Sequence, residues 1–148
     1  MSIVPYILMA LVAGACLPTQ AGINAQLNLW TRSPVLAAAV SFAVGTITLG
    51  LYALLTRVPA PAAEDLSRLP WWVWTGGVLG AFFVVSTVVL APRMGAAAMV
   101  AVIIAGQMIT SLVLDHCGLL GYQTQPINVW RVLGIGLIVC GVLLLRFR

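Results

Sequence analysis

The sequence predicts an all-α integral membrane protein with five transmembrane helices, and three observations carry that prediction. The chain of 148 residues is 62% hydrophobic and 7% charged, with a mean hydropathy of +1.12, whereas a soluble domain is about a quarter charged. Charge-free segments cover 3–29, 35–55, 71–90 and 96–114, and a fifth, 129–145, has only Arg131 at its edge; each approaches the roughly 20 apolar residues that cross a hydrocarbon core. The longest connections are 56–70 and 115–128, so residues 1–148 read as a single five-helix membrane domain with no room for a soluble one.

The first helix reads as a retained element, because MSIVPYILMA lacks the basic region of a cleaved signal peptide. Its apolar run continues into PTQAGINAQLN, residues 18–28, where Gln20, Asn24 and Asn28 recur every four residues and form one stripe. Pro18 removes a backbone donor and frees the carbonyl of Gly14, which predicts a kink or an opening near the middle of the helix. Pro18 is thus a candidate hinge, with a simple bend as the alternative. Ser33-Pro34 opens the second helix and Pro70 the third, since a proline in the first turn sacrifices no intrahelical bond. Trp71, Trp72 and Trp74, with Trp30 and Trp130 at other segment ends, form an interfacial belt. Ala91-Pro92-Arg93-Met94-Gly95 reads as a very short turn before the fourth helix.

Small residues mark the faces on which such helices meet. Gly76 and Gly80 have GxxxG spacing, Gly134 and Gly141 lie two turns apart, and Gly45 sits between Ser41 and Thr48 on one helical face. Close backbone approach of this kind joins helices in lipid, so these glycines are assigned to helix packing. Cys16, Cys117 and Cys140 are scattered without metal or disulfide spacing and read as small core residues.

The fourth segment answers the amide stripe with Gln107, Thr110 and Ser111, and the row continues to Asp115 at the membrane edge. An amide moved into an apolar medium without a partner costs roughly 2–7 kcal/mol, and an interhelical polar contact returns only about 0.6–2 kcal/mol. The stripe is therefore better explained by a wet cavity or a polar substrate than by helix-to-helix bonding, which stands as the alternative. Gln20, Asn24 and Gln107 are the leading candidates to face a small-molecule substrate, followed by Asn28, Ser41, Thr110 and Ser111.

The charges exclude several classes of function. Seven arginines oppose Glu64, Asp65 and Asp115 for a net +4, and they are dispersed over connections and segment ends, which is no nucleic-acid footprint. No acid or arginine occupies the middle of a segment, so proton or cation exchange through a buried carboxylate is disfavoured. Asp115-His116 is the only acid–imidazole pair, with an anchoring role or proton coupling both open. No serine or cysteine has a base and an orienting acid beside it, and no phosphate loop appears. The expectation is no enzyme, no cofactor and no metal.

Five crossings place Arg57, Arg68 and Arg131 on the N-terminal side and Arg32, Arg93, Arg146 and Arg148 on the other. With so little bias under the positive-inside rule, the chain is expected to insert both ways, and two opposed copies then form an inverted repeat of the sort transporters use. A single orientation held by the C-terminal arginines is the alternative.

Several ordered motifs together resemble a known family. GINAQL, SPVLAAAVSFAVGT, PWWVWTGGVLGAFFV, GQMITSLVLDHCGLLG and RVLGIGLIVCGVLLL are similar to the YdcZ-type small inner-membrane exporters of the drug/metabolite transporter superfamily, related to EamA and small multidrug resistance proteins. The resemblance covers nearly the whole chain. It implies a multi-pass protein of the bacterial inner membrane, forming half of a ten-helix inverted-repeat transporter through an antiparallel, dual-topology homodimer. It does not carry over proton/cation exchange, because the first helix lacks the membrane glutamate of small multidrug resistance proteins. Gly106-Gln107 also stands where many EamA repeats place a proline.

The expectation is thus a membrane transporter that moves a small neutral or zwitterionic solute by alternating access, with itself and the lipid bilayer as partners and no nucleic acid. A non-transporting membrane subunit, a lipid or lipid-linked-sugar flippase partner, and half of an obligate heterodimer are the alternatives.

Overall fold

Backbone in hydrocarbon must satisfy its own hydrogen bonds, so long apolar segments fold as helices. The computed structural model describes residues 3–146, and among them there are helices and turns but no strand. In order these are α1 (Val4–Thr31), α2 (Pro34–Leu55), a short α3 (Ala63–Ser67), α4 (Thr75–Met94), α5 (Ala96–Cys117) and α6 (Val129–Arg146). Four helical stretches are long and apolar enough to cross a membrane: Val4–Thr31, Pro34–Leu55, Trp71–Met94 and Ala96–Cys117. The expected fifth is helical but shorter, with its apolar part at Val129–Leu144; that is ~24 Å of rise, against ~30 Å of hydrocarbon. Of the arginines in the orientation count, Arg148 lies outside the described residues.

The helix ends follow local chemistry. Arg32 adopts a left-handed conformation (φ 53°, ψ 23°) that ends α1, with its N–H donating to Asn28 O at 2.8 Å. Ser33 is extended (φ −151°) and its Oγ accepts from Leu36 N at 3.3 Å, capping α2 ahead of Pro34. In the following connection Glu64 and Asp65 occupy the first turn of α3, where carboxylates favour the positive end of a helix.

Three expectations need correction. Pro70 does not start an α-helix but caps a 3-10 turn, Trp71–Trp74, and α4 begins at Thr75. The residues read as a turn before α5 are helical through Met94, with Pro92 inside the last turn of α4, and the chain reverses only at Gly95 (φ 76°, ψ 158°). A proline near a C-terminus removes one bond without ending the helix, whereas that Gly95 backbone belongs to glycine. Finally, α1 does not open at Pro18 but is a continuous helix through it, and the Thr19 hydroxyl donates to Ala15 O at 3.0 Å in the same turn.

The chain divides into two compact units, residues 1–92 and 93–148. In the first, α1 packs on α2, to which two residues join it. Ala21, Ala37, Ala38, Val84 and Val88 are its buried apolar residues, and the Phe42 ring lies where a Cβ on Gly80 would stand 3.5 Å away. The second unit is a hairpin of α5 and α6, with Met99 buried. No more than 17% of the apolar window of any spanning helix is buried, so these faces are left for lipid or for other protein. Cys16, Cys117 and Cys140 are exposed rather than core residues, for the same reason.

Candidate functional site

The amide stripe of α1 meets α2 across small residues. On α2, Ala37 is fully buried and Ala38 3% exposed, and on α1, which packs against it, Ala21 and Asn24 are 2% and 3% exposed. Asn24 therefore sits inside the unit, one turn from the half-buried Asn28. Asn24 Nδ2 and Asn28 Oδ1 are both buried without a hydrogen-bond partner in the chain.

The hydroxyls nearby behave differently. Thr19, Thr48 and Thr87 each donate to a carbonyl of their own helix, with the buried Thr87 reaching Val84 O at 2.8 Å. A threonine satisfies itself on the preceding turn, and these amides do not. A buried polar group left unpaired costs about 1–3 kcal/mol.

One turn before Asn24, the exposed Gln20 borders a recess of about 260 Å³ between α1 and α2. Ser41, Phe42, Gly45, Thr46 and Leu49 complete its lining. The structure thus brings Gln20 and Ser41 to one recess, floored in part by Gly45, whose missing Cβ would meet nothing within 4 Å. Phe42 and Thr46 were missed from sequence; they follow Ser41 and Gly45 by one position each, and a lone helix does not say how wide a recess opens.

In the second unit the candidates separate. Gln107 and Thr110 are exposed and border none of the cavities described here. Ser111 and Asp115 line a cavity of about 320 Å³ between α5 and α6, with Met108, Leu112, Arg131, Gly134, Ile135 and Ile138.

The end of this hairpin is a polar clasp. Arg131 donates from Nη2 to Asp115 Oδ2 at 2.9 Å and to Gln125 Oε1 at 2.6 Å, and from Nη1 to Gln125 O at 3.2 Å. Gln125 N in turn donates to Asp115 O at 2.8 Å. Asn128 Oδ1 caps α6 by accepting from Arg131 N at 2.9 Å, and His116 Nδ1 accepts from Ile127 N at 3.3 Å. Asp115 and His116 thus both tether the connection 118–128 to α5. Sequence reasoning singled them out but missed Arg131, Gln125 and Asn128. The available signal was an acid in the last turn of one helix and an arginine in the first turn of the next.

The packing glycines are mostly open within one chain. Gly80 touches Phe42, but a Cβ at Gly45, Gly76, Gly134 or Gly141 would find no atom within 4 Å.

Comparison with known proteins decides the family. The family model described as "Putative inner membrane exporter, YdcZ" matches residues 5–144. The chain belongs to the YdcZ family. It is 28% identical over 135 residues to "Inner membrane protein YdcZ" of Escherichia coli (strain K12), covering 91% of this chain and 85% of that protein. No solved structure matches. YdcZ membership supports a helical, membrane-resident transporter and implies transport rather than catalysis.

Proposed function

We propose that this YdcZ-family chain exports a small neutral or zwitterionic solute by alternating access, as an antiparallel, dual-topology homodimer with ten helices. The observation that carries this reading is the pair of unsatisfied amides, Asn24 Nδ2 and Asn28 Oδ1, buried in a helix that leucine would fill at lower free energy. Groups without a partner in the resting chain acquire one from a solute or its water. Gln20 and Ser41, in the recess one turn away, extend the polar path toward the surface.

Gln107, Thr110 and Ser111 are assigned to solute contact in this reading, and their exposure leaves them free for it. Pro18, where α1 lacks one backbone bond, is where the helix flexes between states. Asp115 and His116 are assigned to anchoring the α5–α6 connection. The absence of acids from the middle of the spanning segments fits a solute without net positive charge. α6 serves as the fifth crossing, with a short apolar length that tilt-free insertion and local thinning accommodate.

The test is cysteine accessibility. Asn24→Cys and Gln107→Cys are expected to react with membrane-impermeant thiol reagents, and the transported solute is expected to slow that reaction. Silence at both positions, from both sides and in every state, removes the pathway. A purified single chain that never crosslinks to itself head-to-tail removes the homodimer and leaves the heterodimer.

A further inference from the structure

The α5–α6 hairpin carries a groove whose lining, Ser111 apart, has no part in the proposed solute path. Along α5 from Asp115 the cavity wall is Leu112, Ser111 and Met108, and along α6 from Arg131 it is Gly134, Ile135 and Ile138. A second cavity of about 520 Å³ is bordered by Ala101, Ile104, Ile138, Gly141, Val142 and Leu144. The two share Ile138 and follow one another along the helix seam, together a groove in two parts. It extends over the ~20 Å of helical rise from Arg131 to Leu144, compared with ~15 Å for half of a ~30 Å hydrocarbon core.

Its polarity is graded. Charge is confined to one end, where the Asp115 and Arg131 side chains are 25% and 28% exposed; below Ser111 the walls are apolar. Trp130, 82% exposed beside Arg131, marks that end as the headgroup level, where indoles concentrate. The glycines make the groove rather than fill it, since a Cβ at Gly134 or Gly141 would meet no atom within 4 Å.

We propose that this groove is a binding site for one zwitterionic phospholipid, with an acyl chain along the α5–α6 seam and the headgroup on the Asp115–Arg131 pair. The length and the polar-to-apolar gradient match a molecule that lies along the membrane normal with its head at the interface. Charge complementarity selects the headgroup: a phosphate meets Arg131 and an ammonium meets Asp115, while a headgroup of net negative charge is opposed by the carboxylate.

Native mass spectrometry of the detergent-extracted full chain tests this, with phosphatidylethanolamine and phosphatidylglycerol titrated separately. The expected result is one phosphatidylethanolamine retained per chain, with phosphatidylglycerol at least fivefold weaker. Gly134→Leu and Gly141→Leu fill the groove from its two halves without meeting a neighbour, and each is expected to weaken retention at least tenfold. Gly76→Leu, at an equally open glycine outside the groove, is expected to leave retention unchanged. Equal retention of the two lipids overturns the headgroup assignment, and wild-type retention in both groove variants overturns the site. Should the groove variants change the number of chains per particle and leave lipid retention intact, the groove holds protein and the proposal fails.

Discussion

The chain contains two helical hairpins that handle polar side chains in opposite ways. In α1–α2 the helices are joined by Arg32 and Ser33 alone, and the polar atoms inside, Asn24 Nδ2 and Asn28 Oδ1, have no partner. In α5–α6 the connection is longer, and its polar groups are mutually bonded through Arg131, Asp115, Gln125, His116 and Asn128. Polar residues at a helix end have flexible neighbours and free backbone groups within reach. Those mid-helix face a backbone already bonded to itself. The first hairpin therefore holds an unmet demand for hydrogen bonds, and the second has met its own.

The strongest way to break this contrast is to loosen the clasp. Gly118, at φ +62°, begins the connection, and a Cβ there would lie 2.5 Å from Thr124 Oγ1. Gly118→Ala is expected to destabilise the protein by about 2–4 kcal/mol, from left-handed strain and the clash together. Thr124→Ala in the same chain should recover the clash but not the strain. Thermal unfolding in detergent reads both; a neutral Gly118→Ala would mean the connection is not held as described.

Asn24→Leu sharpens the other side of the comparison. Removing an unpaired buried amide is expected to stabilise the fold by about 1–3 kcal/mol, while solute flux in proteoliposomes falls at least tenfold. A loss of stability instead would show that the amide has a structural partner, and its place in the solute path would go with it.

The smallest effect is expected at the ion pair. Asp115→Asn keeps a hydrogen-bond acceptor for Arg131 but removes the charge, at a cost of about 0.5–1 kcal/mol for a partly exposed pair. Its melting temperature should respond less to added salt than that of the wild type, because screening acts on charge. An equal salt response in both chains would locate the clasp's strength in its neutral hydrogen bonds.

Much of the architecture was legible because membrane segments announce themselves locally. Ser33-Pro34 marked the start of α2 correctly, since capping and a first-turn proline involve only adjacent backbone. The 3-10 turn at Trp71–Trp74 and the helical course of residues 91–94 were not legible, because the same residues suit either geometry until the chain commits at Thr75 and Gly95. The site was half legible. The four-residue spacing put Gln20, Asn24 and Asn28 on one face, but only the packed helices decided that Asn24 is covered while Gln20 borders a recess. The glycines were read as contacts, yet within one chain only Gly80 makes one, since spacing describes a face and not what meets it.

Composition alone settled that this protein lives in lipid, because a chain with so few charges cannot solvate its surface in water, and the periodicity of its amides settled that they share one helical face. Which of those amides is sealed and which is open, and the joining of Asp115 to Arg131 across the hairpin, came only with the packed helices. Hydropathy and helical spacing are properties of single residues and their near neighbours, whereas burial and pairing depend on how far apart two helices stand, and no local pattern encodes that distance.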